Sequence, residues 1–488
     1  MLKNVLSGNA RGKISYYLIL ICLLLGSVDP LFSQDTHYNS NQFGARSALL
    51  GGAIIGDVND NTGVFYNPAG LGFMDTATLS INGNAYQIEN IKIENALGQK
   101  KDFKSSHLGS VPLFVGGMLR KGEKRLKIGF TVMSSVNFQF KATARIDDTE
   151  DIAGDLESPG KEEFIGQSSV NTKVSELLFG LGGGYKLNDN WSVGLSNLFT
   201  VRSVSYNRTT IARFFLNQPD FPLVSSSFSR NADYFNVRYA AKIGLNYRKN
   251  RFSAGLTVTS PSLNLFGTGT VAVDIIGNNI LYEGSRTDIL ANDRQEKLKS
   301  KFKSPLAAGL GANYTFGRSQ IGVALNYHGS TKIYDILRAN PSDFFRPVSL
   351  NAQLGSADFL RVKTGAKQVF NFAVGYEYAL KPNMTLSGSI RTDNSYFDKN
   401  LDTTLGIRPD VTTWNIYHIA MGTTFTRGRS KMSIGLVYST GKDDRKKSDG
   451  NLENPSENNL LQGSTTITKA KYNSIGFILG YAFVFKKF

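Results

Sequence analysis

The 488-residue chain is poor in the residues that most often carry catalysis: it has one cysteine and four histidines. Cys22 lies in the first apolar run, so the chain after that run has no disulfide, no cysteine-ligated metal and no cysteine nucleophile. No later run is long and apolar enough for a membrane helix, which excludes a helical bundle. His328 and His418 have no serine beside them in a recognisable motif. We expect neither an enzyme nor a cofactor or metal site.

The charge is unbalanced, with a net value of +16 at pH 7. Such a surplus often indicates nucleic-acid binding. Here no DNA- or RNA-binding motif accompanies it, and many of the basic residues fall in short turns and in loops. We therefore expect no nucleic-acid partner.

Residues 1–34 have the pattern of a cleaved secretory signal. Basic residues precede an apolar run at 14–28, and "LFSQ" ends in small or polar residues before Asp35. A retained anchor helix is the alternative, but the run is short for a membrane span and is followed at once by Asp29 and Pro30. A secretory signal places the mature chain outside the cytoplasm.

From residue 76 onward, apolar residues alternate with small or polar ones, which predicts strands with two different faces. In the last segment, Phe477 and Leu479 share a bulky face while Gly476 and Gly480 share a small one. Few helices are expected to cover so many bulky faces, so lipid is their natural partner. Short and long connections also alternate along the chain, as in outer-membrane barrels.

The sequence therefore predicts an all-β fold, a transmembrane antiparallel β-barrel of about fourteen strands over 76–488. We expect strands at 76–88, 109–120, 126–142, 170–186, 191–204, 234–248, 251–267, 300–316, 320–330, 365–379, 384–392, 412–426, 431–440 and 466–486. Long loops are expected near 89–107, 143–169, 204–233, 268–299, 330–364, 393–411 and 440–465.

The last strand and the terminal Phe488 together resemble the signal that the outer-membrane assembly machinery reads. The expected location is the cell outer membrane, with outer-membrane lipids around the barrel. On this phase Leu479 faces lipid, and Gly480→Ala on the inner face should be mild.

Residues 35–75 lack the alternation and are rich in Gly, Ala and Asn, yet they carry many apolar side chains. A free tail would not need those side chains, whereas a wide barrel has a lumen to fill. In "GVFYNPAGLG" (63–72), Pro68 fixes its own φ and holds Asn67 extended, and the Asn67 side chain can cap the turn. Gly70 and Gly72 allow close approach to the wall.

"GARSALLGGA" followed by "GVFYNPAGL" resembles the N-terminal hatch of the FadL-like long-chain fatty-acid transporter family of outer-membrane proteins. That resemblance implies a hatch before a fourteen-stranded barrel, and passive uptake of hydrophobic or amphipathic molecules such as long-chain fatty acids. The partner is then a hydrophobic small molecule or lipid. The hatch motif residues are Phe65, Tyr66, Asn67, Pro68, Ala69 and Gly70.

A branch of similar fold belongs to the type IX secretion system, and the alternative function is an interaction or shuttle protein of that system. The secretion branch tends to have Trp before the Asn and Lys after the Ala, whereas this chain has Tyr66 and Gly70 there. Long polar loops at 143–169 and 440–465 would suit a protein partner.

Two groups of side chains are candidates for ligand contact. Phasing the strands places basic residues and one acid in the lumen, where an anionic head group could bind: Arg202, Arg238, Lys242, Glu377 and Arg391. The loop "ARFFLNQPDFPLVSSSF" is expected to expose an apolar capture patch at the extracellular mouth: Phe214, Phe215, Leu216, Phe221, Leu223 and Phe228.

Overall fold

The computed structural model describes residues 36–74, 76–109, 114–120, 125–282, 284–346, 355–403, 406–448, 450, 452–461 and 466–487. The expected signal at 1–34 and the terminal Phe488 lie outside these residues. Within them, no helix is both long enough and apolar enough to cross a membrane.

Strands dominate the chain from residue 76 onward. The strands are β1 Thr76–Ile93, β2 Phe103–Gly109, β3 Phe114–Arg120, β4 Leu126–Glu150, β5 Glu162–Lys186, β6 Trp191–Phe215, β7 Leu223–Lys249, β8 Phe252–Thr259, β9 Leu263–Tyr282, β10 Ser285–Lys299, β11 Ala307–Phe316, β12 Ser319–His328, β13 Thr331–Leu337, β14 Phe345–Arg346, β15 Val362–Ala366, β16 Val369–Lys381, β17 Met384–Asp393, β18 Asn415–Arg427, β19 Ser430–Lys447 and β20 Ile467–Lys487.

The helical elements are short. Those described are the α-helices α1 Ala45–Leu49, α2 Gly63–Tyr66 and α3 Ser356–Phe359, and the 3-10 helices η1 Pro68–Phe73, η2 Lys399–Thr403 and η3 Glu457–Asn459.

The sheet closes into a barrel because the last strand, β20, pairs antiparallel with β1 over most of its length. Three strands of the wall are each interrupted and consist of two segments. β2 and β3 both pair with β1, and β8 and β9 both pair with β7. β10 pairs with β9 and β11 pairs with β8, so these two segments form the third interrupted strand. The result is a closed, antiparallel barrel of fourteen strands, as the alternation predicted. β13 and β15 form a separate two-stranded sheet.

One zone of the barrel presents bulky apolar side chains outward. Phe372, Ile434 and Leu479 are 56%, 44% and 43% exposed, and many other outward residues of these strands are similarly exposed. Water would oppose such a continuous belt, whereas hydrocarbon accepts it, and closure of the sheet pairs its backbone groups internally. The barrel thus has the architecture of an outer-membrane protein.

Beyond this belt the strands continue further than the sequence predicted, and there the apolar side chains point inward while polar and charged ones point outward. On β4, Phe138, Phe140 and Ile146 point inward into a large apolar core, while Lys141 and Arg145 point outward. The expected long loops at 143–169 and 204–233 were wrong: their flanks belong to β4, β5, β6 and β7, and only 151–161 and 216–222 connect them. The expected loop at 268–299 is largely a hairpin of β9 and β10.

Candidate functional site

The Asn-Pro-Ala turn is held by the side chain of Asn67. Asn67 is extended (φ −155°), its Oδ1 accepts from the Ala69 N–H at 3.1 Å, and Pro68 opens η1. Its Nδ2 donates to the Ile55 carbonyl at 2.9 Å and to the Leu245 carbonyl on β7 at 3.2 Å. One buried amide therefore caps the turn, ties it to the rest of the N-terminal segment, and attaches both to the barrel wall.

Backbone of the N-terminal segment lies directly against glycines of the wall. A Cβ built on Gly184 of β5 or Gly194 of β6 would stand 2.6 Å from the Pro68 carbonyl oxygen, closer than real contacts allow. The same crowding against residues 45–67 is found at glycines on seven further strands: Gly244, Gly255, Gly311, Gly322, Gly375, Gly435 and Gly480. These nine glycines, here the glycine belt, have no room for a side chain of their own.

The belt overturns one expectation from the sequence. A Cβ on Gly480 would overlap Ala45 of α1, so Gly480→Ala is not a mild change. The inner phase of Gly480 was assigned correctly, but the sequence alone does not show that Ala45 of the N-terminal segment fills the space beside it.

An ion network fixes the short-turn side of the hatch. Arg46 on α1 reaches Glu377 of β16 at 2.7 Å and Asp57 at 3.2 Å, and Arg248 of β7 also reaches Asp57 at 3.3 Å. Burial would raise the pKa of Asp57, but Arg46 and Arg248 hold it below its ordinary value. Glu377 thus faces inward as predicted, yet it binds the hatch, and it does not line the cavity that the other four predicted lumen residues share.

Residues 36–43 connect the hatch with the opposite end of the barrel. The Thr36 N–H donates to Thr412 Oγ1 at 2.7 Å, and Tyr38 stacks on His328 with centroids 4.2 Å apart. Farther along, the Arg391 guanidinium donates to the carbonyl of Ser40 at 2.8 Å and to that of Asn39. The segment therefore runs through the lumen, anchored by side chains of several strands.

A cavity of about 240 Å³ lies beside this segment, with hatch residues Ile55, Phe65 and Tyr66 in its lining. Leu178, Leu198, Ala240 and several other apolar residues contribute to the lining, as do Arg202, Arg238, Lys242 and Arg391. Four of the five predicted lumen residues are thus brought to one site. The lining combines an apolar surface with a basic group at one place, a pattern suited to an amphipathic molecule.

The charged part of the cavity is built on Glu176 of β5. Arg202 donates to Glu176 Oε1 at 2.6 Å and Arg238 donates to the same oxygen at 2.8 Å. The three side chains are almost fully buried, and Phe302 lies 4.2 Å from the Arg202 guanidinium carbon. Two cations share one anion, so the cluster keeps a net positive charge.

Several nitrogens of this cluster have no acceptor within the described part of the protein. Among the described residues, Arg202 Nε and Nη2 and Arg238 Nη1 have no hydrogen-bond partner although they are buried. A buried donor that makes no hydrogen bond costs free energy, which favours an acceptor in the cavity. Lys242, in contrast, already donates to the Phe65 carbonyl and lies over the Phe65 ring.

The sequence reasoning missed Glu176 and Phe302. Glu176 shares its face with the buried Val174 and Leu178, so strict alternation on β5 would have placed it inside. Phe302 lies in the irregular connection between β10 and β11, where no periodicity assigns a face.

The expected capture patch is divided between two environments. Phe215, Phe221 and Leu223 are exposed, by 42%, 64% and 43%. Phe214, Leu216 and Phe228 are instead buried in the large apolar core beyond the belt, here called the extracellular core, because 212–215 and 223–228 belong to β6 and β7 and alternate inward and outward. A single exposed patch of six residues is therefore wrong.

His418 and His328 lie in different surroundings within the described part of the chain. His418 contacts Ser439 Oγ at 2.7 Å, but Asp393 lies 3.9 Å from its other ring nitrogen, beyond hydrogen-bond distance. His328 is stacked on Tyr38. No group of three or more His, Cys, Asp or Glu side chains that could hold a metal ion is found among the described residues.

A closed barrel with an N-terminal segment folded against its inner wall belongs to the plugged outer-membrane barrels. Among solved structures, the chain is similar to a Pseudomonas aeruginosa FadL homologue, with 13% identity, a TM-score of 0.56, and coverage of 94% of this chain and 100% of the other. For the P. putida toluene transporter TodX the identity is 13% and the TM-score 0.56, with coverage of 91% of this chain and 99% of the other. For the Ralstonia pickettii toluene transporter TbuX the identity is 13% and the TM-score 0.53, with coverage of 92% and 100%.

These likenesses establish a FadL-like fold over nearly the whole chain, as the resemblance of the hatch motif implied. No protein-family model matches the sequence, and no curated protein matches it.

Proposed function

We propose that the protein is an outer-membrane channel for passive uptake of amphipathic molecules that carry an acidic head group, with long-chain fatty acids as the model substrate. The observation that carries the proposal is the Arg202–Glu176–Arg238 cluster in the wall of a cavity that is lined by both apolar and polar side chains. The structural neighbours named above are a FadL homologue and two toluene transporters, which supports a hydrophobic ligand.

The head group is what separates this substrate class from plain hydrocarbons. A hydrocarbon offers no acceptor, so the free donors of Arg202 and Arg238 would stay unmatched. A carboxylate accepts from both guanidinium groups through charge-assisted hydrogen bonds, while its chain packs on Phe65, Leu178 and Leu198. The hatch beneath the cavity would then hold the ligand on its way through the barrel.

Binding of a matched ligand pair tests the proposal. A fluorescent long-chain carboxylate should bind the purified protein more tightly than its methyl ester does. Arg238→Met should weaken binding of the acid by about 10- to 100-fold, which corresponds to one lost charge-assisted hydrogen bond. The ester should change by less than about threefold, since it gains little from the cation. Glu176 keeps Arg202 as its partner in this variant.

Arg213→Met removes an exposed arginine on β6 and is the matched control, for which both affinities should stay at the wild-type value. Equal weakening of acid and ester in Arg238→Met would show that Arg238 only supports packing. Absence of binding for both ligands in the wild type would overturn the channel proposal, and the type IX secretion alternative would then be the one to pursue.

A further inference from the structure

The short turns opposite the extracellular core carry a large surplus of positive over negative charge. The segments 120–127, 186–191, 248–252, 316–320, 379–385 and 426–431 contain fourteen Lys or Arg and two Asp or Glu. Their surplus of twelve accounts for most of the chain's net charge of +16. The cavity and the hatch use only a few of these residues, so this concentration needs its own explanation.

Eight of these basic side chains are exposed in the structure: Arg125, Lys249, Arg251, Arg318, Lys381, Arg427, Arg429 and Lys431. We refer to them as the basic ring. In the described parts of the turns, the exposed acid is Asp189, which pairs with Lys186 at 2.7 Å. None of the eight takes part in an ion pair among the described residues.

Four arginines of the basic ring occupy the same structural position. Arg125, Arg251, Arg318 and Arg429 each immediately precede a strand, namely β4, β8, β12 and β19. The carbonyl of each accepts a 2.8 Å hydrogen bond from an N–H of the neighbouring strand. The wall therefore holds these four residues at one level, at intervals around the barrel.

Aromatic side chains on the outer surface lie next to the basic ring. Trp191, Phe252, Phe316 and Phe425 are 39–44% exposed and stand within a few residues of the turns. Outer-membrane barrels place such an aromatic girdle at the boundary between hydrocarbon and head groups. The arginines just beyond it therefore lie at the level of the phospholipid phosphates.

We propose that the basic ring binds the phosphate groups of anionic phospholipids in the membrane leaflet on the hatch side. The circumferential spacing fits a shell of lipids around the barrel, because exposed basic residues occur on five of the six turns. A single acidic protein would need the charge gathered on one side. Basic side chains near a membrane surface attract anionic lipid, by about fivefold per residue.

Spin-labelled lipids report directly on this shell. The full mature chain is reconstituted in phosphatidylcholine, and the fraction of motionally restricted label is compared for phosphatidylglycerol and phosphatidylcholine probes. We expect the wild type to prefer phosphatidylglycerol by at least about fivefold at low salt, with the preference falling as salt screens the charges.

The variant changes Arg125, Arg251, Arg318 and Arg429 to Gln together, and its preference for phosphatidylglycerol should fall at least threefold. The matched control changes Arg213, Arg338, Arg346 and Arg445 to Gln, four exposed arginines at the other end of the barrel, and should keep the wild-type value. A heat-modifiable gel shift verifies that each barrel is folded.

An equal loss in the two quadruple variants would show that net charge alone attracts the lipid, and would overturn the assignment to the ring. Equal restriction of both probes by the wild type would also overturn it, and would favour an acidic periplasmic protein as the partner. None of these outcomes depends on ligand binding in the lumen, so they leave the proposed channel function untouched.

Discussion

Gly194→Ala should dislodge the hatch while leaving the barrel closed. The new Cβ would stand 2.3 Å from the Ala69 nitrogen and from the Pro68 carbonyl carbon, whereas ordinary contact begins at 3.4 Å, so the turn must withdraw by about 1.1 Å. Both partners are backbone in confined places, so no side chain can rotate away. Overpacking of this kind costs about 1–3 kcal/mol.

The withdrawal also strains two buried hydrogen bonds at the same place. Ser192 Oγ donates to the Ala69 carbonyl at 2.7 Å, and Asn67 Nδ2 donates to the Leu245 carbonyl at 3.2 Å. Loss of one such bond costs about 1 kcal/mol, so docking of the hatch should weaken by about 2–4 kcal/mol. The ratio of docked to undocked hatch would fall by roughly 30- to 1,000-fold.

Conductance in planar bilayers and hydrogen exchange of the peptide 61–74 measure this effect. Gly194→Ala should show frequent openings and faster exchange, approaching a variant that lacks 41–72. Gly183→Ala is the control on the outward face of β5, where the nearest atom to the new Cβ, the Lys127 carbonyl oxygen, is 3.7 Å away. Wild-type conductance and wild-type exchange in Gly194→Ala would refute the reasoning that backbone contact at the glycine belt holds the hatch.

Two further changes test the wall and the extracellular core. Leu479→Arg should destabilise the barrel by about 2–4 kcal/mol if this exposed position lies at the membrane midplane, measured by urea titration of the gel shift; unchanged stability would contradict the lipid-facing phase. Burial raises the pKa of Asp410 to about 7, although Arg408 opposes the shift. This folded-state pKa lies above the ordinary value of 3.8. The contribution of Asp410 to stability is therefore fully present below about pH 4 and is lost as the pH rises through 7. Asp410→Asn should match the wild type at pH 4 and exceed it at pH 8 by up to about 4 kcal/mol in thermal unfolding; an equal difference at both pH values would contradict this.

The sequence was most informative where one environment acts along a long stretch of strand. On β20 from residue 475 onward, lipid outside favours bulky residues and the hatch inside favours mostly small ones, so the phase followed from the alternation alone. On β5 and β6 the environment changes part-way: Leu177 and Phe199 face outward within the belt, whereas Phe164 and Phe214 face inward beyond it. The bulky face therefore switches sides, and a search for one constant alternation ends each predicted strand at that point.

The candidate site was only partly predictable, for a different reason. Phasing placed Arg202 and Arg238 inside, because each lies on a small or polar face of its strand. Their pairing with Glu176 depends on the register between β5, β6 and β7, which sets residues far apart in sequence opposite one another. Local periodicity predicts neither this register nor the course of residues 36–43 through the lumen.

β4 also passes from the lipid-facing belt into the apolar core, and in this strand a bulge at Ser134–Val136 lies at the transition. Phe130 and Val132 face outward below the bulge, whereas Phe138 and Phe140, which are also even-numbered, face inward above it. The extra residue rotates the strand by half a period and aims Ser135 Oγ at Glu176 Oε2, 3.2 Å away. If β4 kept all its residues but ran without the bulge, the charged flank of the upper strand, Lys141 and Arg145, would turn toward the apolar core. Its pairing with β5 would then be displaced by one position up to the far tip of the hairpin, so an irregularity at the edge of the cavity sets the register of the whole upper hairpin.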